Sequence, residues 1–304
     1  MEAVTAFAPS HITGFFQIFD QSADAVRNGS KGAGVSLDLG VKTTVKVRRG
    51  STNNLKVNIN NRLANSALVS RRVVKIFLSR LGDTNSFEIL VDHHVEAPIG
   101  AGFGTSGAAA LSLALALNEA SGLGISRIEA AQMAHIAEVE CKTGLGTIIA
   151  ETFGGFEVRV KAGAPGIGEI NVLSVPDDTL VACHFFGPLS TKESLTNTET
   201  RARINRLGGK LVKELIDAPT ITNFMKLSRQ FAEHVGLITE KVRSVLNAAD
   251  KAGVACSMPM FGESVFAVTD REGVRQILQV FRKSALSGQT IVSKVNHDGA
   301  RLLG

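Results

Sequence analysis

The sequence predicts an α+β fold, and two features of its residue pattern carry that prediction. Segments 34–49 and 55–60 are rich in β-branched or alternating apolar residues, which predicts strands of one antiparallel sheet. Segment 64–81 places apolar residues at helical spacing, and segment 87–98 predicts another strand, which ends at Pro98. Strands and helices therefore follow one another along a chain of 304 residues, which is long enough to bury one or two ordinary cores.

The second half of the chain continues this pattern after a break in composition. The turn-rich segment KAGAPGIGE (161–169) predicts a domain boundary, and we expect one domain over residues 1–165 and another over 166–304. The elements expected beyond the boundary are a strand in DTLVACHFFG, charged amphipathic helices over 192–251, two short strands in GVACSMPMFGESVFAV, a helix in REGVRQILQVFRK and a strand in TIVSKV.

The composition argues against several classes of protein. Three cysteines without a CxxC pair suggest neither a disulfide framework nor a zinc site. An acidic N-terminus, and no apolar run of about 18 residues, favour a cytoplasmic protein that does not enter a membrane. The net charge is +5, but the basic residues are scattered and Trp and Tyr are absent. We therefore expect no nucleic-acid partner, and an anionic small molecule instead.

Residues 97–120, APIGAGFGTSGAAALSLALALNEA, place a glycine-rich stretch directly before an apolar helix predicted over 106–120. Glycines strip side chains from the stretch, so its backbone N–H groups can face a ligand, and the first turn of the helix leaves further donors unpaired. Such a helix start suits a phosphate group, although a tight packing corner remains the alternative. The residues concerned are Gly100, Gly102, Gly104, Thr105 and Ser106.

Two other known phosphate motifs fit this stretch less well. A Walker motif does not fit, because no Gly-Lys-Ser or Gly-Lys-Thr is present. The dinucleotide fingerprint GxGxxG fits residues 102–107, but it requires a strand after the helix. Here a second helix follows instead, because Ser126 and Glu129 form a capping-box pattern. A nicotinamide or flavin enzyme is therefore the weaker alternative.

The segment PIGAGFGTSGAA (98–109) resembles the ATP-phosphate motif of the GHMP small-molecule kinases, Pro-x-x-x-Gly-Leu-Gly-Ser-Ser-Ala. Within that superfamily, APSHITGFF, KGAGVSLDLGV, HIAEVECKTGLG, ETFGGFEVRV and NHDGARLL are together similar to the archaeal pantoate kinases. The resemblance implies an N-terminal domain of the ribosomal S5 domain 2-like fold and a ferredoxin-like C-terminal domain. It also implies ATP-dependent phosphorylation of pantoate on the route to coenzyme A.

Other functions stay open at this point. One alternative is another GHMP kinase, of the homoserine, shikimate or mevalonate type. A second is a catalytically weakened relative that only binds nucleotide. The partner expected is a small hydroxy acid, and a homodimer is left open.

The resemblance also assigns roles to particular residues. Ser106 and Glu138 would hold Mg²⁺ and take part in catalysis, since magnesium prefers oxygen ligands. Without the resemblance, Glu138 reads as an ordinary surface glutamate. The phosphates of ATP would lie over Pro98, Gly100, Gly102, Gly104, Thr105, Ser106 and Gly107.

Three further residues would bind the acceptor acid by the same resemblance. They are Ser30, His135 and Arg159, of which the guanidinium could grip a carboxylate with two hydrogen bonds. Taken alone, His135 reads as a hydrogen-bonded core residue, whereas Ser30 reads equally as a turn serine and Arg159 as an exposed strand residue.

One departure from the superfamily pattern concerns Thr147. Members often carry an aspartate at this place, where it accepts the proton of the substrate hydroxyl. A threonine hydroxyl is too weakly basic to do so near neutral pH. Either the base is dispensable, because the proton can leave late in a loose transition state, or catalysis is slowed. Glu151, four residues on, is a candidate substitute.

Overall fold

The computed structural model describes residues 3–81, 86–189, 195–284 and 287–304, and it has the predicted α+β architecture. The strands described are β1 (Val4–Phe19), β2 (Gly29–Gly50), β3 (Asn54–Ile59), β4 (Arg62–Leu63), β5 (Ser86–Val95), β6 (Phe156–Lys161), β7 (Glu169–Leu173), β8 (Leu180–Pro188), β9 (Gly262–Thr269), β10 (Gln289–Lys294) and β11 (Arg301–Leu303). The helices are α1 (Leu68–Leu81), α2 (Thr105–Ser121), α3 (Arg127–Cys141), α4 (Thr147–Phe153), α5 (Thr198–Asp217), α6 (Ile221–Val235), α7 (Glu240–Lys251) and α8 (Gly273–Lys283).

The larger sheet is built around the long strand β2. Eight strands belong to this sheet, in the order β11-β1-β2-β5-β3-β4, with β6 and β7 joined to β2 through β6. Residues 41–50 of β2 pair with β5, whereas residues 32–35 pair with β6. Strand β1 runs antiparallel to β2 on its other edge. The first half of β2 therefore lies between β1 and β6.

The expectation of a fully antiparallel sheet was wrong for β3. This strand pairs with β5 in parallel. Helix α1 lies between the two strands in the chain, and a helical crossover returns the chain in the same direction.

The expectation of two strands in segment 253–268 was also wrong. Only β9 forms, and Ser257 makes a single bridge to Phe266. Pro259 lies in the remaining part and has no N–H to donate to a ladder.

The smaller sheet has the described strands in the order β10-β8-β9, all antiparallel. Two strands after residue 165 belong to the larger sheet instead, because β7 pairs with β6 and β11 pairs with β1. The domain boundary between residues 165 and 166 stays a prediction. Because β7 still belongs to the larger sheet, these pairings favour a boundary later in the chain, between β7 and β8. Among the described residues, no helix is both long and apolar enough to cross a bilayer.

Phe224 of α6 joins the second half of the chain to the larger sheet. Its ring centroid lies 6.0 Å from that of Phe15 on β1 and 4.6 Å from that of Phe156 on β6. All three side chains are fully buried. Aromatic contacts of this kind add to the free energy gained by burying the rings. The helix thus fixes β1 and β6 relative to each other.

We predict that Phe224→Ala lowers the free energy of unfolding by about 3–5 kcal/mol, because it leaves a cavity between these strands. Urea unfolding of the two proteins measures the difference. The matched control is Phe153→Ala, since Phe153 is 41% exposed and should cost much less. Equal losses for the two variants would contradict the role of Phe224.

Candidate active site

The glycine stretch forms a loop whose backbone conformation strongly favours glycine. Gly100, Gly102 and Gly104 have φ angles of +79°, +81° and +63°, which lie in the left-handed region. Gly104 is the N-cap of α2 and offers no side chain to the first-turn N–H groups. We call residues 98–107 the phosphate loop, because bare amides at a helix start can bind an anion.

Ser106 and Glu138 lie in direct contact at the start of α2 and the end of α3. The Ser106 hydroxyl donates to Oε1 of Glu138 over 2.6 Å, and the Thr143 hydroxyl donates to the same oxygen over 2.6 Å. Oε2 faces Gly144, where a Cβ atom would overlap it. Burial raises the pKa of Glu138, and the two hydroxyl hydrogen bonds partly oppose that shift.

A cavity lies beside the phosphate loop, and we call it the central cavity. Its walls come from β1, β2, β6, the turn before α4 and the segment before β9. Main-chain atoms of Gly102 and Gly104 form one end, so the cavity opens onto the phosphate loop. Side chains that line it include His11, Thr13, Ser30, Thr147, Arg159 and Met260.

Arg159 of β6 is a buried cation with free hydrogen-bonding capacity. Its side chain is 1% exposed, and Nη1 donates to Oε1 of Glu157. Within the described residues, Nε has no hydrogen-bond partner. A Cβ atom on Gly146 would lie 2.9 Å from this Nε and would overlap the Ser30 hydroxyl. Ser30 and Arg159 therefore converge at Gly146, where they can bind a carboxylate.

His11 of β1 reaches across β2 to Glu157 of β6. Its Nε2 lies 3.1 Å from each carboxylate oxygen of Glu157. Gly34 of β2 lies between them, and a Cβ atom there would overlap the imidazole ring. Our interpretation of the sequence missed His11 and Glu157. The available signal was the glycine in the centre of a strand, which indicates a close approach by a neighbouring group.

Glu151 of α4 lies beneath the phosphate loop. A Cβ atom on Gly104 would lie 2.6 Å from its Oε1, and one on Gly107 would lie 2.8 Å from its Oε2. Neither oxygen has a hydrogen-bond partner within the described residues. Burial raises the pKa of Glu151 well above its ordinary value, and the nearby charges of Glu138 and Glu157 raise it further.

A model of the family described as GHMP kinases N terminal domain matches residues 67–155. A pantoate kinase from Methanocaldococcus jannaschii is 37% identical over 280 residues, covering 91% of this chain and 96% of that protein. A pantoate kinase from Thermococcus kodakarensis is 34% identical and covers 91% of both proteins. The chain belongs to the pantoate kinase family.

A solved structure supports the fold expected for this family. It is described as a phosphotransferase related to the CoA biosynthesis pathway, and it is 29% identical with a TM-score of 0.88. The match covers 99% of this chain and 98% of that one. The expected GHMP kinase fold is confirmed, whereas the assignment of its halves to S5-like and ferredoxin-like domains stays a prediction.

In this member of the pantoate kinase family, most of the residues predicted from the sequence surround the phosphate loop and the central cavity. Ser30, Thr147 and Arg159 line the cavity, and Ser106 with Glu138 lies at the adjoining helix start. Their roles stay predictions.

His135 lies apart from this group. Its Nε2 is 2.9 Å from the main-chain oxygen of Asn28, and its side chain is buried. Burial lowers the pKa of His135, although main-chain carbonyls oppose the shift. This contact positions the start of β2, which carries Ser30. Its predicted contact with the acceptor stays untested.

We predict that Glu151→Gln stabilises the chain increasingly as pH rises above about 4.5, the ordinary value for a glutamate. A raised pKa in the folded chain means that stability is greatest below the unfolded value and falls as pH rises. Glutamine removes that loss, so the gain in unfolding free energy should grow by up to about 1.4 kcal/mol per pH unit.

Urea unfolding between pH 4.5 and 8 measures this dependence. The control is Glu119→Gln, which changes an exposed carboxyl on α2. A gain for Glu151→Gln that is the same at every pH would contradict the argument.

Proposed function

We propose that the chain is an ATP-dependent kinase that phosphorylates pantoate to 4-phosphopantoate. The observation that carries the proposal is the buried guanidinium of Arg159, which lines a cavity that opens onto the phosphate loop. A hydroxy acid can place its carboxylate against this guanidinium and its hydroxyl towards the loop. The two curated relatives with the name pantoate kinase support this choice of acid.

The nucleotide is expected on the other side of the start of α2. A mainly apolar hollow lies there, and Thr105 and Ser106 form part of its edge. An apolar hollow suits the flat face of a purine base. Phosphates that extend from it along the phosphate loop would end at the central cavity, where the acceptor lies. The hollow is also lined by Leu68, Val95, Ile99 and Ala109.

The oxygens of Ser106 and Glu138 fit a magnesium ion. One carboxylate and one hydroxyl suffice from the protein, because magnesium keeps several waters and binds phosphate oxygens as well. Oε1 of Glu138 is already oriented by two hydroxyls, and Oε2 is turned towards Gly144 of the cavity wall. When bound, the ion supplies charge neutralisation on the transferring phosphate group.

The residues of the chain then bind and orient the reactants. The amides of the phosphate loop hold the phosphates, and Arg159 with Ser30 holds the carboxylate of the acid. Met260 and Phe261 line the cavity from the second half of the chain, so they help to exclude water from the reacting groups. Positioning of this kind is the main contribution a protein makes to phosphoryl transfer.

We predict that ADP release, measured in a coupled assay with magnesium, is fastest with pantoate among pantoate, homoserine, shikimate and mevalonate. Ser106→Ala and Glu138→Ala should lower kcat on the order of 10²-fold, because each removes a group at the transferring phosphate. The matched controls are Ser121→Ala at the far end of α2 and Glu140→Ala on the exposed part of α3, which should retain activity.

A different preferred acid would contradict the choice of pantoate. Stabilisation by Mg-ATP without ADP release for every acid would indicate a nucleotide-binding protein instead of a kinase.

We also predict that Thr147→Asp raises kcat by about tenfold or more, because a carboxylate can take up the proton of the substrate hydroxyl, which a threonine hydroxyl with no base beside it cannot do. Thr147 lies at the start of α4 and lines the central cavity. The same assay measures the change, with Thr147→Asn as the control of similar shape and no basic group. If the aspartate variant is no faster than the parent, the missing-base argument is wrong.

A further inference from the structure

Three side chains form a continuous hydrogen-bonded chain that ends in the central cavity. The carboxylate of Glu157 accepts from Nε2 of His11, at 3.1 Å to each oxygen. A carboxylate only accepts, so Nε2 is the donor; in the neutral imidazole Nδ1 is then the acceptor, and the Thr13 hydroxyl lies 3.3 Å from it. Thr13 lines the cavity and is partly exposed, whereas the other two side chains are fully buried.

The backbone holds these three side chains in place. His11 and Thr13 are two residues apart on β1, so they point to the same face of the sheet. A register shift follows Thr13, and irregularities of this kind re-aim side chains near active sites. The main-chain oxygen of Thr13 also accepts from the N–H of Met260, 3.1 Å away. Gly34 provides the space through which the His11 ring reaches Glu157.

The connectivity of hydroxyl, imidazole and carboxylate is the one that activates a hydroxyl as a proton acceptor and donor. Thr147 has a different orientation, with its methyl carbon Cγ2 directed towards Gly104. A distance of 3.3 Å is long for an O–H···N bond, but such bonds commonly tighten when the substrate binds. Thr13 therefore has a hydroxyl next to an imidazole that can take up its proton, which Thr147 lacks.

We propose that Thr13, supported by His11 and Glu157, accepts the proton of the acceptor hydroxyl during phosphoryl transfer. This inference rests on the proposed function. The acceptor oxygen forms a bond to the γ-phosphorus as the bond from that phosphorus to the ADP oxygen breaks. The acceptor proton passes to Oγ1 of Thr13, whose own proton passes to Nδ1 of His11. The imidazolium is neutralised by Glu157 and releases its proton to water after the product leaves.

The test is Thr13→Val in the full chain, assayed with Mg-ATP and pantoate. We expect kcat to fall on the order of 10²-fold, with the KM for ATP and the melting temperature unchanged. Thr13→Ser should restore most of the activity, because it restores the hydroxyl. The matched control is Thr5→Val, which removes a hydroxyl on the same strand that bonds to Thr44 over 2.9 Å, outside the cavity.

The same substitution in a Thr147→Asp chain separates proton acceptance from positioning. With an aspartate as a second acceptor, Thr13→Val should lower kcat by less than about tenfold. An equal loss in both backgrounds would overturn the inference, and so would a serine variant as slow as the valine variant.

Full activity of Thr13→Val, with an active parent, would overturn this inference and leave the proposed function intact. A parent that releases no ADP with pantoate would overturn both.

Discussion

The part of the site proposed to bind the hydroxy acid depends on the carboxylate of Glu157, because it forms hydrogen bonds with both His11 and Arg159. A buried carboxylate costs several kcal/mol unless donors surround it, and here two side chains supply them. Their approach is a steric matter. A Cβ atom on Gly32 would lie 2.6 Å from Nη2 of Arg159, and one on Gly34 would overlap the His11 ring. The two glycines of β2 are therefore a condition for assembling this part of the site.

Negative charge is in excess around the phosphate loop. Glu138, Glu151 and Glu157 are all buried there, and Arg159 is a buried cation paired with Glu157. The pKa values of Glu138 and Glu151 are raised by burial, so protonation relieves part of the repulsion in the free chain. A divalent cation near Glu138 would favour the ionised carboxylate instead. Cation binding and proton release at this site should therefore be linked.

The sequence predicted the parts of the site that depend on neighbours along the chain. The phosphate loop is a local pattern of glycines, and the capping box at Ser126 forms as expected. His11 and Glu157 are 146 residues apart, and no periodicity indicates that their strands flank the same part of β2. The return of β11 to the first sheet and the parallel pairing of β3 are also long-range, because they depend on how the strands are ordered in the sheet.

The same charge excess gives a physical reason for the threonine at position 147. Thr147 and Glu151 are one helical turn apart on α4, and both reach Gly104, with Cγ2 and Oε1 each 2.6 Å from the position of a Cβ atom there. Two carboxylates at this spacing repel each other, and burial strengthens the repulsion. An aspartate at 147 would thus supply a nearby proton acceptor at a cost in stability. With Glu151 present, a neutral residue at position 147 avoids this repulsion. The proton of the substrate hydroxyl can then be accepted on β1, where Thr13 lies next to the His11 imidazole, which in turn contacts the Glu157 carboxylate.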